Sequence, residues 1–307
     1  MSAAEFPKPS PRARELVRGG VDVHVHISPD VVERRIDDVS LARRCEEVGL
    51  AGFIMKSHYT STAERASVVR AVVPGIAALG ALVLNRAIGG MNPLAVEIAA
   101  REGARVVWMP TTDSQAEREH LAHQGPNANL PVWAKVQAEL AARGIESEPV
   151  PTLDQSGELT PETKLVLEVI AERGLVLATG HLGREEVFPL VEAARAAGVE
   201  HVVVTHPDFP AQHFSIDEQL ELAKKGAWLE RCFTTPHTGK CSWEQWIAGT
   251  RAVGPERTIL SSDLGQLSNP PVEDGLPLMA DRLLEAGFGE DDVRTMAVTN
   301  TRKLAGL

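Results

Sequence analysis

The chain has 307 residues, enough for one large α/β barrel or for two ordinary domains, and either would bury a sizeable core. Its net charge of -11, without a dense run of Lys and Arg, argues against nucleic acid or an anionic membrane surface as the main partner and favours a small-molecule substrate. Its three cysteines lack zinc-site spacing, so neither a disulfide framework nor a cysteine metal cluster is indicated.

The sequence shows no pattern typical of a signal peptide or of a membrane span. The N-terminus has no apolar run of signal-peptide length, and no later segment approaches the roughly 20 apolar residues of a membrane span. We therefore expect a soluble, cytoplasmic protein without a membrane partner. Whether it forms a homo-oligomer is left open.

A lead-in helix is predicted in residues 1–20, where Ser10-Pro11 and Gly19-Gly20 supply a start and a stop. The first strand follows as VDVHVHIS, in which His24 and His26 alternate with β-branched residues. An extended backbone places both imidazoles on one face, where they can chelate a divalent metal. A lone His-x-His is more often accidental, so this hypothesis requires further ligands downstream.

Helix and strand signals alternate along the rest of the chain. Helices are predicted where an apolar face lies between a capping residue or Pro and a Gly, and short apolar runs separate them. The later predicted strands cover residues 51–55, 77–84, 104–109, 175–180, 201–206, 227–232 and 258–262. The polar stretch 110–130 is interpreted as an active-site loop, and the turn signal at residues 155–157 predicts a small hairpin over the site.

Eight strand signals alternating with helices predict an α/β fold, a closed (β/α)8 TIM barrel formed as a single domain by residues 21–307. A doubly wound open sheet is the alternative. It lacks its usual support, because no Gly-x-Gly-x-x-Gly follows the first strand and no Walker loop occurs.

Polar residues cluster at the predicted strand ends, which meet at one mouth of such a barrel. These residues are His24, His26, Lys56, His58, His181, His206 and Asp263. Any single histidine there is more often a satisfied core residue. Several imidazoles and a carboxylate in one small mouth would, however, be costly to desolvate without a cation.

With these residues the chain resembles the amidohydrolase superfamily, a group of metal-dependent hydrolases of TIM-barrel fold. The resemblance extends from about Val21 to the C-terminus and rests on His-Val-His, LATGHLG, VVVTHPD and LSSDLG. It implies hydrolysis of amides, lactones or esters with one or two divalent metals, most often Zn²⁺. The first metal would be held by His24, His26 and Asp263, and the second by His181 and His206.

Strand four, ARVVWMPT, departs from the family because it offers neither the lysine nor the glutamate that often bridges the two metals. Lys56 is the expected substitute, as a carboxylated lysine, since it lies at a strand end with the parity of His58. Otherwise Lys56 remains an ammonium that binds a substrate carboxylate beside a single metal. His58 is a weaker ligand candidate, and Glu230 is expected to support a ligand.

The function expected from the sequence is attack by metal-bound hydroxide on an amide, cyclic amide, lactone or ester of a small, anionic substrate. Asp263 would carry the proton, and His206 or His58 would be the next candidate. Substrate-binding candidates that follow strand ends or lie in the long loop are Arg34, Arg86, Arg184 and His123. A metal-dependent decarboxylase and a non-catalytic metal-binding barrel are the alternatives, which metal content would separate.

Overall fold

The structure is a computed structural model that describes residues 6–124, 130–145 and 148–307. Within these residues, eight parallel strands form one sheet in which each strand pairs with the next in chain order. The strands are β1 Val21–Val25, β2 Gly52–Met55, β3 Ala77–Val83, β4 Ala104–Trp108, β5 Val176–Ala178, β6 His201–Val204, β7 Trp228–Cys232 and β8 Thr258–Ser261.

Helices surround this sheet and connect its strands. The α-helices are α1 Pro11–Leu16, α2 Asp38–Val48, α3 Ala63–Val72, α4 Pro93–Arg101, α5 Gln115–Ala122, α6 Val132–Ala142, α7 Pro161–Glu172, α8 Arg184–Ala196, α9 Ile216–Lys224, α10 Thr234–His237, α11 Trp243–Val253, α12 Gly275–Glu285, α13 Glu290–Arg294 and α14 Asn300–Ala305. A π-helical stretch, Thr295–Thr299, joins the last two. None of the described helices is both long enough and apolar enough to cross a membrane.

The sheet closes between β1 and the segment that follows β8. The backbone N–H of His26 donates to the carbonyl of Leu264 at 2.8 Å, and that of Asp263 donates to the carbonyl of His24 at 2.8 Å. An open sheet would leave both strands as free edges. The predicted (β/α)8 barrel is therefore confirmed, and the doubly wound alternative is wrong.

Strand β1 contains a bulge that places its histidines. Val23 packs inside the barrel, whereas Val25 packs against the outer helices, and the register with β2 shifts between Asp22 and Val25. The bulge reverses the inward and outward alternation of side chains after Val23. His24 and His26 therefore both face the mouth, although Val23 faces the barrel interior as well. The expectation of one shared face for both histidines is confirmed, but the simple alternation of the whole strand is wrong.

The segment predicted as a long loop, residues 110–130, contains helix α5. The hydroxyl of Ser114 caps this helix by accepting from the backbone N–H of Glu117 at 3.2 Å. The loop interpretation is wrong for this part because the polar helix has little apolar periodicity to reveal it. Residues 125–129, at the end of the same stretch, lie outside the described residues. The predicted hairpin itself is confirmed as an antiparallel bridge between Leu153 and Leu159, while its place over the site stays a prediction.

Candidate metal centre

Two buried histidines and a partly exposed carboxylate, at or just after the ends of β1 and β8, meet at the C-terminal mouth of the barrel. The Nε2 atoms of His24 and His26 each lie 3.3 Å from Oδ1 of Asp263. All three potential ligand atoms lie within 4.8 Å of one another. Two imidazoles and one carboxylate are a donor set that zinc and similar cations accept.

Lys56, which follows β2, lies beside this group. Its Nζ is 3.0 Å from Nε2 of His24 and 5.2 Å from the ring centre of Trp108. Trp108 ends β4 and packs in the barrel interior, which explains why that strand supplies no ligand. Burial lowers the pKa of Lys56, while the charges of Asp263 and Glu230 oppose this effect.

His181 and His206, which follow β5 and β6, form a second group in the mouth. Their ring centres are 4.9 Å apart, and the ring of His206 is 6.2 Å from that of His24. His58 lies between the two groups, with ring centres 4.9 Å from His26 and 6.1 Å from His181. The structure thus brings together every residue that the sequence proposes as a metal ligand.

Four of these histidines have one ring nitrogen, Nδ1, close to a polar side chain. The pairs are His24 with Glu230 at 3.0 Å, His58 with Thr111 at 2.8 Å, His181 with Glu117 at 3.0 Å and His206 with Gln212 at 3.0 Å. The nitrogen of His181 and the carboxylate of Glu117 are close enough for an ion pair, but they are not aligned for a hydrogen bond. Ligand histidines in metal sites are held in this way, with the other nitrogen on the cation. The arrangement therefore fits a divalent metal.

Sequence reasoning identified Glu230 but missed Glu117, Thr111 and Gln212 as histidine partners. Glu117 stands three residues after Ser114, in a spacing typical of helix starts, and this was the signal that could have placed it on a helix. Gln212 has no such signal, because the turn after β6 folds it back onto His206.

The protonation states in the mouth suit metal binding. Burial is the main cause that lowers the pKa of His26, His58, His181 and His206 well below the ordinary value of 6.5. Burial alone would raise the pKa of Asp263, but His24, His26 and Lys56 outweigh it and hold this pKa well below 3.8. At neutral pH these four imidazoles are neutral and the carboxylate is ionised, which are the forms that bind metals.

The backbone is strained at two of the candidate ligands. His206 has a φ of 27° and Asp263 a φ of 52°, in the left-handed region that residues with a Cβ rarely adopt. Such conformations persist only where surrounding contacts enforce them, and they cluster at functional sites. At Asp263 the enforcing contacts include a hydrogen bond from Oγ1 of Thr234 to Oδ2 at 2.7 Å.

The predicted substrate-binding residues separate into two places. Arg34 lies near the mouth, since its charge, beside burial, contributes to the low pKa of His26 and His58. Its Nε donates to Asp30 at 2.7 Å.

Arg86, Arg184 and His123 instead line a neighbouring cleft of about 850 Å³, to which none of the candidate ligands contributes. Arg86 donates to the carbonyls of Glu148 and Pro149, and Arg184 pairs with Glu218. The structure does not bring these three residues to the candidate ligands, because contacts hold Arg86 and Arg184 on this cleft and His123 follows the last residue of α5, which borders it.

The fold and the site define a TIM-barrel protein with a candidate metal centre at the C-terminal ends of its strands. Residues 19–230 match the model of a family described as a family of unknown function, DUF6282, and the chain belongs to this family. No curated protein matches the chain in sequence.

Several solved structures have a similar fold. An amidohydrolase from Pseudomonas aeruginosa is 12% identical with a TM-score of 0.61, covering 97% of this chain and 100% of that chain. The probable dipeptidase PvdM from the same organism is 11% identical with a TM-score of 0.61, over 97% and 98%. An amidohydrolase from Burkholderia multivorans with bound zinc is 12% identical with a TM-score of 0.56, over 94% and 99%. Because the sequence identities are this low, the similarity to these structures shows the fold of the chain alone.

Proposed function

We propose that this protein is a metal-dependent hydrolase of the amidohydrolase superfamily that cleaves an amide, cyclic amide, lactone or ester bond in a small, anionic substrate. The observation that carries the proposal is the meeting of His24, His26 and Asp263 with His181 and His206 in one buried mouth. The likeness of the fold to two amidohydrolases and a probable dipeptidase supports it.

Divalent metal, with Zn²⁺ as the first expectation, is the proposed cofactor. His24, His26 and Asp263 would hold one ion, and His181 and His206 would hold a second. When bound, the metal would polarise the substrate carbonyl and lower the pKa of a water molecule to about 7. The zinc in the Burkholderia multivorans amidohydrolase supports this choice of metal.

Asp263 is the proposed proton carrier. It is ionised at neutral pH, and Thr234 orients its Oδ2 through a hydrogen bond of 2.7 Å. A carboxylate held in this way can accept a proton from the attacking water and deliver it to the leaving nitrogen or oxygen. His206 is the second candidate for this role, since its ring is neutral and its Nδ1 lies 3.0 Å from Oε1 of Gln212.

Lys56 is proposed to carry a carboxylate on its side chain. Its buried amine, with its lowered pKa, can add to carbon dioxide and lose a proton, which gives a carbamate whose negative charge would offset that of the metal. Lys56→Ala should lower both metal content and activity, and a short carboxylic acid should partly restore them. Density for a carbamate in a crystal would support the proposal, whereas an unmodified ammonium away from any metal would contradict it.

Metal analysis combined with a substrate screen tests the proposed function. The as-purified protein would be analysed for bound metal and then assayed with lactones, cyclic amides and N-acyl amino acids. We expect about two ions per chain and turnover of at least one class, which chelation abolishes and Zn²⁺ restores. A protein that holds no metal after gentle purification and hydrolyses none of these compounds after reconstitution would contradict the proposal.

A metal-dependent decarboxylase is the second candidate function, and Trp108 is the observation that favours it. The indole occupies the end of β4 in place of a bridging ligand, which suits a mononuclear site. One metal per chain, together with release of carbon dioxide from a carboxylated substrate, would support this candidate over the hydrolase.

A further inference from the structure

Lys240 lies beside the candidate metal centre, in the loop that joins α10 to α11 after β7. Its ammonium is 4.0 Å from the ring centre of Phe209. The ring of Phe209 in turn lies 4.6 Å from that of His206 and 5.5 Å from that of His181, measured between centres. One aromatic ring therefore separates this positive charge from two of the candidate metal ligands.

The charge of Lys240 acts on the mouth. Burial of the ammonium lowers the pKa of Lys240, while Asp263 and Glu117 oppose this effect and favour the charged form. The same charge contributes to the pKa values of Glu117 and His181, in both of which burial is the larger cause. Lys240 as a whole residue is nevertheless exposed, so its side chain lies between solvent and the ring of Phe209.

The arginines considered for substrate binding already have polar partners, whereas Lys240 has none among the described residues. Arg34 pairs with Asp30 at 2.7 Å, and the guanidinium groups of Arg86 and Arg184 are bound to backbone carbonyls and to a glutamate. Among the residues that the structure describes, none forms an ion pair or a side-chain hydrogen bond with the ammonium of Lys240, whose one described partner is the face of Phe209.

We propose that Lys240 binds a carboxylate of the substrate and makes the enzyme selective for acidic substrates over neutral ones. This inference rests on the proposed hydrolase function and specifies its substrate class. One ammonium carries one positive charge and three donors, which matches a single carboxylate. The ring of Phe209 offers an apolar surface for the part of the substrate that links this carboxylate to the scissile bond.

The test uses Lys240→Met and the matched control Lys303→Met. Lys303 is also exposed, and its ammonium also faces an aromatic ring, that of Trp228 at 5.8 Å, but Trp228 begins β7 and therefore lies at the opposite end of the barrel. Calorimetric titration of the metal-loaded proteins would compare N-benzoylglycine with its neutral amide. Wild type and Lys303→Met should bind the acid roughly tenfold or more tightly than the amide, and Lys240→Met should lose this preference.

Kinetics with an acidic substrate from the screen provide a second measurement. Lys240→Met should raise KM roughly tenfold or more and leave kcat within about twofold, because the ammonium would contact a part of the substrate that does not react and so bind ground state and transition state alike. Equal binding of acid and amide by the wild type, or a preference that survives in Lys240→Met, would overturn the inference even if hydrolysis is found. Loss of the preference without any hydrolysis would retain the role of Lys240 and reject the hydrolase.

Discussion

His24 and His26 show how a local sequence pattern becomes a pair of candidate metal ligands. Their alternation with β-branched residues predicts a shared face, and the bulge in β1 directs that face to the mouth. There both Nε2 atoms lie 3.3 Å from the carboxylate of Asp263, while Glu230 contacts Nδ1 of His24 from the side away from the proposed metal. A role in packing would not require this convergence of ring nitrogens.

His24→Ala and His26→Ala should each reduce bound metal to less than half of the wild-type content while the barrel still folds. Each change removes a nitrogen ligand but leaves the strands and helices around it intact. Elemental analysis and circular dichroism would measure metal and fold. The control is His201→Ala, since this histidine stacks on Trp228 at the start of β6, far from the mouth. Wild-type metal content in both variants would show that the ligand assignment is wrong.

Asp263→Asn should keep most of the metal and thermal stability while turnover falls by roughly 10²-fold or more. The amide oxygen can still coordinate but cannot take a proton, and asparagine tolerates the φ of 52° at this position. The acidic limb of the rate profile should be lost or displaced in the variant. Asp281→Asn is the control, because its carboxylate binds Ser10 outside the mouth. Near-normal turnover by metal-loaded Asp263→Asn would assign the proton transfer to another group.

At the scale of elements, barrel closure and site geometry depend on the same turn. Leu264 accepts a backbone hydrogen bond from His26, and the next residue, Gly265, has a φ of +135°. A Cβ at Gly265 would lie 1.5 Å from the carbonyl oxygen of His26. The turn after β8 therefore requires glycine both for its conformation and for the close approach of the backbone at His26.

Gly265→Ala should destabilise the protein clearly more than Gly287→Ala and should also reduce metal binding. Gly287 has a φ of +84°, but a Cβ there meets no atom within 4 Å, so it reports the cost of conformation alone, about 1 kcal/mol. The change at Gly265 adds a steric clash that displaces the backbone of His26. Urea unfolding and metal titration would compare the two variants. Equal losses of stability and of metal binding in the two variants would contradict the link between barrel closure and the candidate metal centre.

Helix α5 is an element whose function the sequence did not reveal. It carries Glu117 inward to within 3.0 Å of Nδ1 of His181, although the stretch resembles a surface loop in composition. His120 of α5 and His123, which caps the helix, line the neighbouring cleft. Helix α5 therefore contacts the candidate metal centre with one face and borders the cleft with another.

For the whole molecule, the buried histidines predict a marked pH dependence of stability after metal is removed. His26, His58, His181 and His206 stay neutral in the folded protein below pH 6.5, whereas they take up protons in the unfolded chain. Their contribution to stability is complete above pH 6.5 and is lost as the pH falls below it. Asp22 and Glu117, with pKa values raised to about 7, act in the opposite direction because they are protonated only in the folded state.

Between pH 6 and pH 5 the four histidines take up more protons in the unfolded chain, whereas Asp22 and Glu117 hold more protons in the folded protein. Because the four histidines outnumber the two carboxyl groups, the free energy of unfolding of chelated protein should fall over this range. Urea titrations at both pH values would measure the slope. Glu117→Gln should steepen it, because one opposing proton is removed, and a flat profile in both proteins would contradict the assignment of buried neutral histidines.

Sequence alone determined the order of strands and helices, the barrel and the identity of the ligand candidates. These features depend on local periodicity, on capping residues and on the rule that parallel strand ends meet at one mouth, so neighbouring residues suffice to predict them. His24, Lys56 and Asp263 were predicted in this way, each from its position at a strand end.

Only the tertiary structure decided which side chains surround these candidate ligands. The contact between His24 and Glu230 joins residues 206 positions apart, and Lys240 reaches the mouth through Phe209 from another strand end. The same holds for Trp108, whose inward packing decides that β4 offers no ligand. Such contacts depend on barrel closure, on bulges and on side-chain packing between distant segments, which leave no periodic signal in the chain.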